Sequence, residues 1–355
     1  MQRILKNVSS LMMAAVLGVS LAACVGPPAS HWAKQANQKC PFEPDESVTT
    51  HVVLAYQVIP NGDAVVQGQH MLETCMPNAS IEWKRFDSAG EILQAYGSNS
   101  IDYGLLGSAA LARGLSQPLN LSLKTPWVFD EIGTAESLVV KDPNVKKIQD
   151  LKGKNIAVTF SSTSHYSLLG ALKQAGMVVG KDVKLINLSP DRMLAGWQSD
   201  QIDAAWVWDP TLSKLTENGH VITSSKEAAE AGAPTYDLAT FTSDFVQKNP
   251  EFMRVWARAQ NAAALEIRNN PEEAASSMAL LLGLEPKMIV QQIKGYSYPV
   301  ASQQVAPQLL GRDLGTVLFD TANFLLENRE IQATNPPQVY KDAPDASAAR
   351  SVEGK

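Results

Sequence analysis

The chain has 355 residues and a formal net charge of −6. That length suits two lobes at roughly 100–200 residues per domain. The mild acidity argues against nucleic acid as a partner, and no block of like charge marks an interaction tail.

Arg3 and Lys6 precede an apolar run from Leu11 to Ala22, shorter than the roughly 20 residues that span a bilayer. The run ends in Leu21-Ala22-Ala23-Cys24, a bacterial lipobox pattern. Residues 1–23 therefore read as a lipoprotein signal peptide. Lipid on Cys24 would tether the protein to the cell membrane on its extracytoplasmic or periplasmic side. Residues 24–47, rich in Pro, Ala, Gln and Glu, read as the tether. With Cys24 lipidated, Cys40 and Cys75 remain, and two leftover cysteines in an exported protein most often pair. A disulfide is expected between them. So few ligands do not make a metal site, and no cofactor is expected.

The body starts at Val48. His51 to Val58 is a β-branched run broken by Pro60-Asn61-Gly62, and Ala64 to Leu72 has helical spacing. A strand over Ile81 to Phe86, a helix over Ala89 to Tyr96, a strand over Ile101 to Leu106 and a helix over Ala109 to Leu115 follow. Further strands are expected over Ser137 to Lys141, Asn155 to Thr159, Val183 to Leu188, Ile202 to Trp208 and, briefly, Val221-Ile222. Tyr236 to Ser243 reads as a strand returning to the first lobe. Pro250 to Asn328 is almost wholly helical in pattern, and residues 332–355, rich in Pro, Ala and Ser, read as a flexible tail. Strands alternating with helices at this spacing indicate an α/β architecture with a mostly parallel sheet. The expected first lobe comprises residues 48–138 and 239–331, and the second 139–238.

AYGSNSIDYGLLGS, ending at Ser108, aligns without gaps on GWQSDQIDAAWVWD, ending at Asp209. Both read helix end, turn, strand and a polar residue at the strand's carboxyl end. Ligands of open parallel sheets sit outside those ends, so Ser108 and Asp209 are expected to face one cleft from opposite lobes. For Asp209 the alternative is a cap on a helix starting near Thr211.

Between a strand and a helix lies FSSTSHYSLL, Phe160 to Leu169. Unpaired amides and the dipole of a helix's first turn favour an anion, and Ser161, Thr163 and their neighbours add neutral donors. The plainer reading is an ordinary N-cap. His165 and Tyr166 open the helix that follows the cluster, Tyr56, Gln57, Ser108, Glu136, Trp206, Trp208 and Asp209 fall at or near other expected strand ends, and Asp237 lies in the return crossing. Hydroxyls, carboxylates and large aromatics together suit a zwitterion. GxSxG, HExxH, GxxxxGK[ST] and CxxC are all missing, so no catalytic residue is assigned.

IAVTFSSTSHYSLLGALKQAG resembles a segment of the periplasmic taurine-binding proteins of ABC importers. WKRFDSAGEILQA, IDYGLLGSAALA, AESLVVK, AGWQSDQIDAAWVW and GAPTYD resemble others, in order from about Val52 to Pro250. The resemblance implies the type II periplasmic-binding-protein fold: two α/β lobes, a hinge of two crossing segments and closure on the ligand. It implies a binding protein rather than an enzyme, with an ABC permease and its ATPase as partners and taurine or another small sulfonate as ligand. Ser108, Ser161, Thr163, His165 and Tyr166 would help hold the sulfonate. Glu136, Trp206, Trp208 and Asp237 would line the ammonium side or the wall. The chain departs from that pattern at Val58 to Asp63, at Ala109 and at Asp209. Two alternatives remain: another small cationic or zwitterionic ligand on the same fold, and a pyrimidine-precursor synthesis enzyme sharing it, which would need a reactive histidine or a metal site in the cleft.

Overall fold

The computed structural model describes residues 39–353. The signal peptide and Cys24 lie outside them. Eleven strands run in chain order among the described residues: β1 (His51–Tyr56), β2 (Ser80–Arg85), β3 (Tyr103–Gly107), β4 (Leu123–Ile132), β5 (Glu136–Val140), β6 (Asn155–Val158), β7 (Lys184–Asn187), β8 (Ala204–Trp208), β9 (His220–Ser224), β10 (Tyr236–Thr242) and β11 (Tyr296–Ser297). They form two sheets. The first has the order β11-β4-β10-β3-β1-β2 and the second β7-β6-β8-β5-β9.

Each sheet is mixed rather than mostly parallel. β1 runs parallel to β2 and β3, and β6 parallel to β7 and β8. The strands next to the crossings are antiparallel to their neighbours: β10 to β3 and β4, and β5 to β8 and β9. Central strands such as VVLA in β1 and AAWV in β8 are buried throughout, as continuous apolar runs covered on both faces should be. The edge strand β2, SIEWKR, is half exposed and carries the charges that discourage further pairing.

The first lobe's core centres on aromatic rings. Tyr103 packs 4.8 Å from Phe241, which meets Trp256 at 5.2 Å. Trp256 comes from the helix Pro250–Asn269, whose apolar face covers the sheet. In the second lobe alternation divides the strands between two cores. Leu138, Val140, Ile156, Val158 and Trp206 pack on one face, and Val139, Ala157, Ala205 and Val207 on the other.

The chain crosses between sheets at residues 133–135 and 231–235. Glu136 therefore opens the second sheet and Tyr236 the first, a few residues ahead of the boundaries expected at 139 and 239. The amides of Gly133 and Ala135 both donate to the Gly295 carbonyl, at 3.0 and 3.3 Å. A Cβ on Gly295 would lie 2.6 Å from the Ala135 nitrogen, so this approach requires glycine.

Four further expectations are corrected. Ala64 to Leu72 is not one helix but two, Gly62–Gly68 and Met71–Cys75, separated at His70 with φ of 51°. β4 and β11 went unassigned. The supposed tail folds over residues 332–353: Thr125 and Ala343 share a 2.8 Å backbone bond, and Tyr340 is buried with its hydroxyl 2.7 Å from Ser116 Oγ. Ala343, Ala346, Ala348 and Ala349 are buried too, because small side chains let this segment lie close against the first lobe. Finally, the expected tether is already fixed by residue 40. Cys40 and Cys75 form a disulfide, Asp45 pairs with Arg254 at 2.5 Å, and Phe42 lies under the Arg258 guanidinium at 4.0 Å.

The bridge spans a sequence separation of 35 residues, for which the chain-entropy relation gives about 4 kcal/mol of stabilisation. Urea unfolding with and without reductant should differ by that order. Identical midpoints would show that the bridge adds no stability.

Candidate ligand-binding site

The carboxyl ends of β1, β3 and β8 and the start of β5 converge on a cavity between the sheets. Gln57, Gly107, Glu136, Thr163, Trp208 and Asp237 line it, with Ile59, Phe160 and Tyr296 as apolar or aromatic wall. Sheet register explains the grouping. Asp237 pairs with Gly107 of β3 on one side and Asp130 of β4 on the other. Glu136 pairs with Trp208. Residues directly opposite in antiparallel strands share a face, so the pairing itself brings acid, glycine and indole together.

The helix Thr163–Gln174 points its N-terminus at this cavity. Ser162 is its N-cap: the hydroxyl accepts from the His165 amide at 3.2 Å and donates to the Thr159 carbonyl at 2.6 Å. Ser161 has φ of 66°, and its hydroxyl accepts from the Arg113 guanidinium. Its amide donates to His165 Nδ1 at 3.3 Å. The His165 ring stacks on Phe160, 4.5 Å apart and 3° from parallel. Burial, helped by Arg113, pushes the His165 pKa down to about 4, so the ring is neutral at pH 7. His165 thus braces the loop and does not line the cavity. Thr163 reaches across to donate to Glu136 Oε1, and Ser225 donates to Oε2 at 3.2 Å.

Burial pushes Glu136 up to about 7 against the lowering effect of those hydroxyls. Burial and the nearby Glu136 push Asp237 up to about 8. Asp130 is fully buried, and neither of its oxygens has a hydrogen-bond partner. The sequence reading missed it because β4 was unassigned. The rule that selected Tyr56 and Ser108, polar residues closing a β-run, would have selected Asp130 in WVFDEI.

Several expected site residues lie elsewhere. Tyr56 packs edge-on to Trp83 with centroids 6.1 Å apart, because neighbouring strand residues face opposite sides. Gln57 is the one turned inward, its amide donating to the Leu105 carbonyl at 3.0 Å. Trp206 is fully buried in the second lobe's core. Tyr166 meets Phe324 of the helix Asp313–Glu327 edge-on at 5.0 Å, a contact between lobes outside the cavity. The Ser108 hydroxyl accepts from the Tyr236 amide at 3.3 Å and so holds the start of β10. Asp209 lies one residue before Pro210, the N-cap of the helix Thr211–Thr216, and is tied to that helix's first turn: Oδ1 accepts from the Ser213 amide at 2.9 Å and from its hydroxyl at 2.5 Å.

Two short crossings, two α/β lobes and a polar cavity where strand ends meet define a two-lobed ligand-binding protein of the periplasmic-binding-protein fold. The chain belongs to the NMT1/THI5-like family, which matches it over residues 89–274. It is 34% identical over 294 residues to the taurine-binding periplasmic protein of Escherichia coli (strain K12), spanning 81% of this chain and 90% of that one. Among solved structures, the periplasmic aliphatic sulphonate binding protein SsuA from Escherichia coli superposes with a TM-score of 0.67 at 22% identity, covering 84% of this chain and 94% of the other. The desulfurization enzyme DSZB shares the fold with a TM-score of 0.60 at 16% identity, covering 86% and 99%. Fold alone therefore does not separate binding from catalysis. The close relative does: this chain is a binding protein and not an enzyme.

Two outcomes are expected. Asp209→Ala should cost about 0.5–2 kcal/mol of stability, the usual range for a lost helix cap, and leave the ratio of taurine to ethanesulfonate affinity unchanged. A changed ratio, read by calorimetric titration, would return Asp209 to the site. A Cβ on Gly107 would sit 2.7 Å from Thr163 Cγ2 on the opposite lobe. Gly107 has φ of −65°, which alanine tolerates, so Gly107→Ala should disfavour only the closed state, by about 1–3 kcal/mol. Ligand affinity should fall accordingly while the open lobes stay folded; undiminished affinity would show that closure does not depend on this contact.

Proposed function

We propose that the protein captures taurine or a closely related amino-sulfonate by closing its lobes on it, and delivers it to an ABC permease and its ATPase. Lipid on Cys24 would hold it at the extracytoplasmic face of the membrane. The observation that carries this reading is a cavity lining that sets buried acids beside the N-terminus of a helix. Glu136 and Asp237 are buried, with no lysine or arginine bonded to either among the described contacts. The first turn of the helix Thr163–Gln174, whose Thr163 bonds Glu136, offers main-chain donors and the positive end of its dipole. An ammonium would fit the acids and a sulfonate the helix N-terminus, with Trp208 in the wall. The relative whose printed name is taurine-binding supports the same ligand class.

A second reading, a more strongly cationic ligand such as a guanidino compound, draws support from Asp130. Its carboxyl stands opposite Asp237 in register and adds a third acid beside the cavity.

Thermal shifts with taurine, ethanesulfonate, nitrate and betaine decide between these. Ligand at 100 times its dissociation constant adds about 2.7 kcal/mol to the folded state, so taurine should raise the melting temperature by several degrees. No shift with any sulfonate would defeat the sulfonate reading, and a shift with cations alone would favour the second. The acids also set a pH dependence. The folded pKa values of Glu136 and Asp237, about 7 and about 8, lie above the values of 4.5 and 3.8 that they have when exposed. Their contribution to stability is full below about pH 4 and is lost as pH rises through 7 to 8. The ligand-free melting temperature should fall over that range. The taurine-induced shift should grow over it, because an ammonium favours the ionised acids. A shift independent of pH would separate the ligand from both carboxyls.

A further inference from the structure

Asp130 is costly, and the Asp237 amide is the one donor that lowers its pKa. A buried polar group with no hydrogen bond destabilises the fold, and more so if charged. Asp130 is 0% exposed and both its oxygens are unpartnered. Its place is nonetheless well defined. It stands directly opposite Asp237 across the antiparallel β4–β10 pair, where side chains share a face with Cβ atoms about 4.5–5.5 Å apart. Asp237 borders the cavity and Asp130 lies behind it. The titratable groups that face Asp130 are Asp237 from β10, Glu136 from β5, and Tyr296 and Tyr298 from β11 and the residues after it. All are acids or phenols. Burial first, then Asp237 and Glu136, push Asp130 well above the ordinary carboxyl range, and the nearby Asp237 amide opposes this only slightly. Two carboxyls side by side with no cation between them cannot both ionise.

We propose that Asp130 is a positioning residue for the cation end of the site, forming with Asp237 a proton-sharing carboxyl pair that ionises only when a ligand's ammonium docks against Asp237. This rests on the reading that the site takes an amine-bearing sulfonate. In the closed, empty site the pair holds two protons and is neutral. When the ammonium enters with its own protons intact, one proton leaves the pair for solvent and the other stays shared between the two carboxyls. The pair gains one negative charge against the ligand's one positive charge, so the balance is neutral before and after. A sulfonate with an alkyl end in place of the amine gives the pair no reason to ionise. Discrimination for the amine thus comes from a pair of acids acting together, and its strength depends on pH. An acid retained at a stability cost, beside the group that meets ligand, fits this role.

Calorimetric titration of taurine and ethanesulfonate into wild type and Asp130→Asn, between pH 6 and 8, tests the proposal. An alkylammonium stays charged through this range. For wild type, taurine affinity should rise with pH, up to about tenfold per unit for one linked proton, with proton release visible in buffers of different ionisation enthalpy. Ethanesulfonate affinity should show no such rise. Asp130→Asn removes one member of the pair and gives Asp237 a permanent N–H donor. The taurine slope and the proton release should fall to half or less, while the ligand-free melting temperature holds or increases. A variant that keeps the wild-type slope overturns the proposal and leaves the functional reading intact; a wild type that binds taurine with no slope overturns the proposal and also separates the ammonium from these carboxyls, leaving only sulfonate capture. A variant that fails to fold or melts well below wild type also overturns it, since the carboxyl would then be holding the structure. Wild type binding neither sulfonate overturns both.

Discussion

The rest of the site depends on three carboxyl groups buried where the two sheets meet, with no lysine or arginine bonded to them among the described residues. Asp130 and Asp237 come from the first sheet and Glu136 from the second. Taking an unpaired charge out of water costs several kcal/mol. The arrangement is then stable only if protons stay on or a cation comes in. On the proposed reading, a cationic ligand would supply what the closed protein lacks. The same constraint explains why Glu136 is so fully bonded by Thr163 and Ser225. Those hydroxyls fix its orientation in a place where its charge is held back.

Closure and recognition use the same parts. The helix Thr163–Gln174 turns its N-terminus to the cavity, while its body touches the opposite lobe. Tyr166 meets Phe324, and Lys173 pairs with Glu327 at 3.1 Å. Thr163 slots against Gly107, whose missing side chain also leaves room beside Asp237, its partner in register. Arg113 reaches from the first lobe to Ser161 in the second. An exposed ion pair such as Lys173–Glu327 contributes little by itself. Packed contacts at Gly107 and Phe324 therefore weigh more in holding the lobes together, and both lie within one turn or two of the ligand's place.

Much of this was legible in the sequence where local pattern and tertiary role agree. Buried runs such as VVLA and AAWV announced their strands, and AESLVVK and GAPTYD carried the acids to the crossings. Legibility failed where a local break hid a strand. β4 contains Pro126, which in a run of β-formers argues against a central strand. The structure tolerates it because the β4–β10 pairing is irregular there, passing from Ala239–Trp127 to Phe241–Lys124. With β4 went Asp130. The internal repeat was a sound guide to the strand and a poor one to the side chain. Ser108 and Asp209 close equivalent strands, but Asp209 has Ser213 four residues on and bonds to it instead of facing the cleft. The final segment was misread from composition, since alanine reads as featureless in a list and as close packing in a core.

The hydroxyl cluster shows the same divergence at finer grain. As a sequence, FSSTSHYSLL offers an anion a row of equivalent donors. In the fold they are not equivalent. Ser161 is occupied by Arg113, Ser162 caps the helix, Thr163 is committed to Glu136, and Ser164 is buried beside that same carboxyl. Of the cluster, Ser162 and Thr163 border the cavity, and each already has a bond to make. On the proposed reading, the anion would therefore rest chiefly on main-chain amides and the helix dipole, which no side-chain substitution removes. The cation would rest on side chains whose protonation can be tuned one residue at a time. On the proposed reading, a changed hydroxyl in this loop would leave the amides in place, whereas a change at an acid such as Asp130 would alter the group that meets the amine.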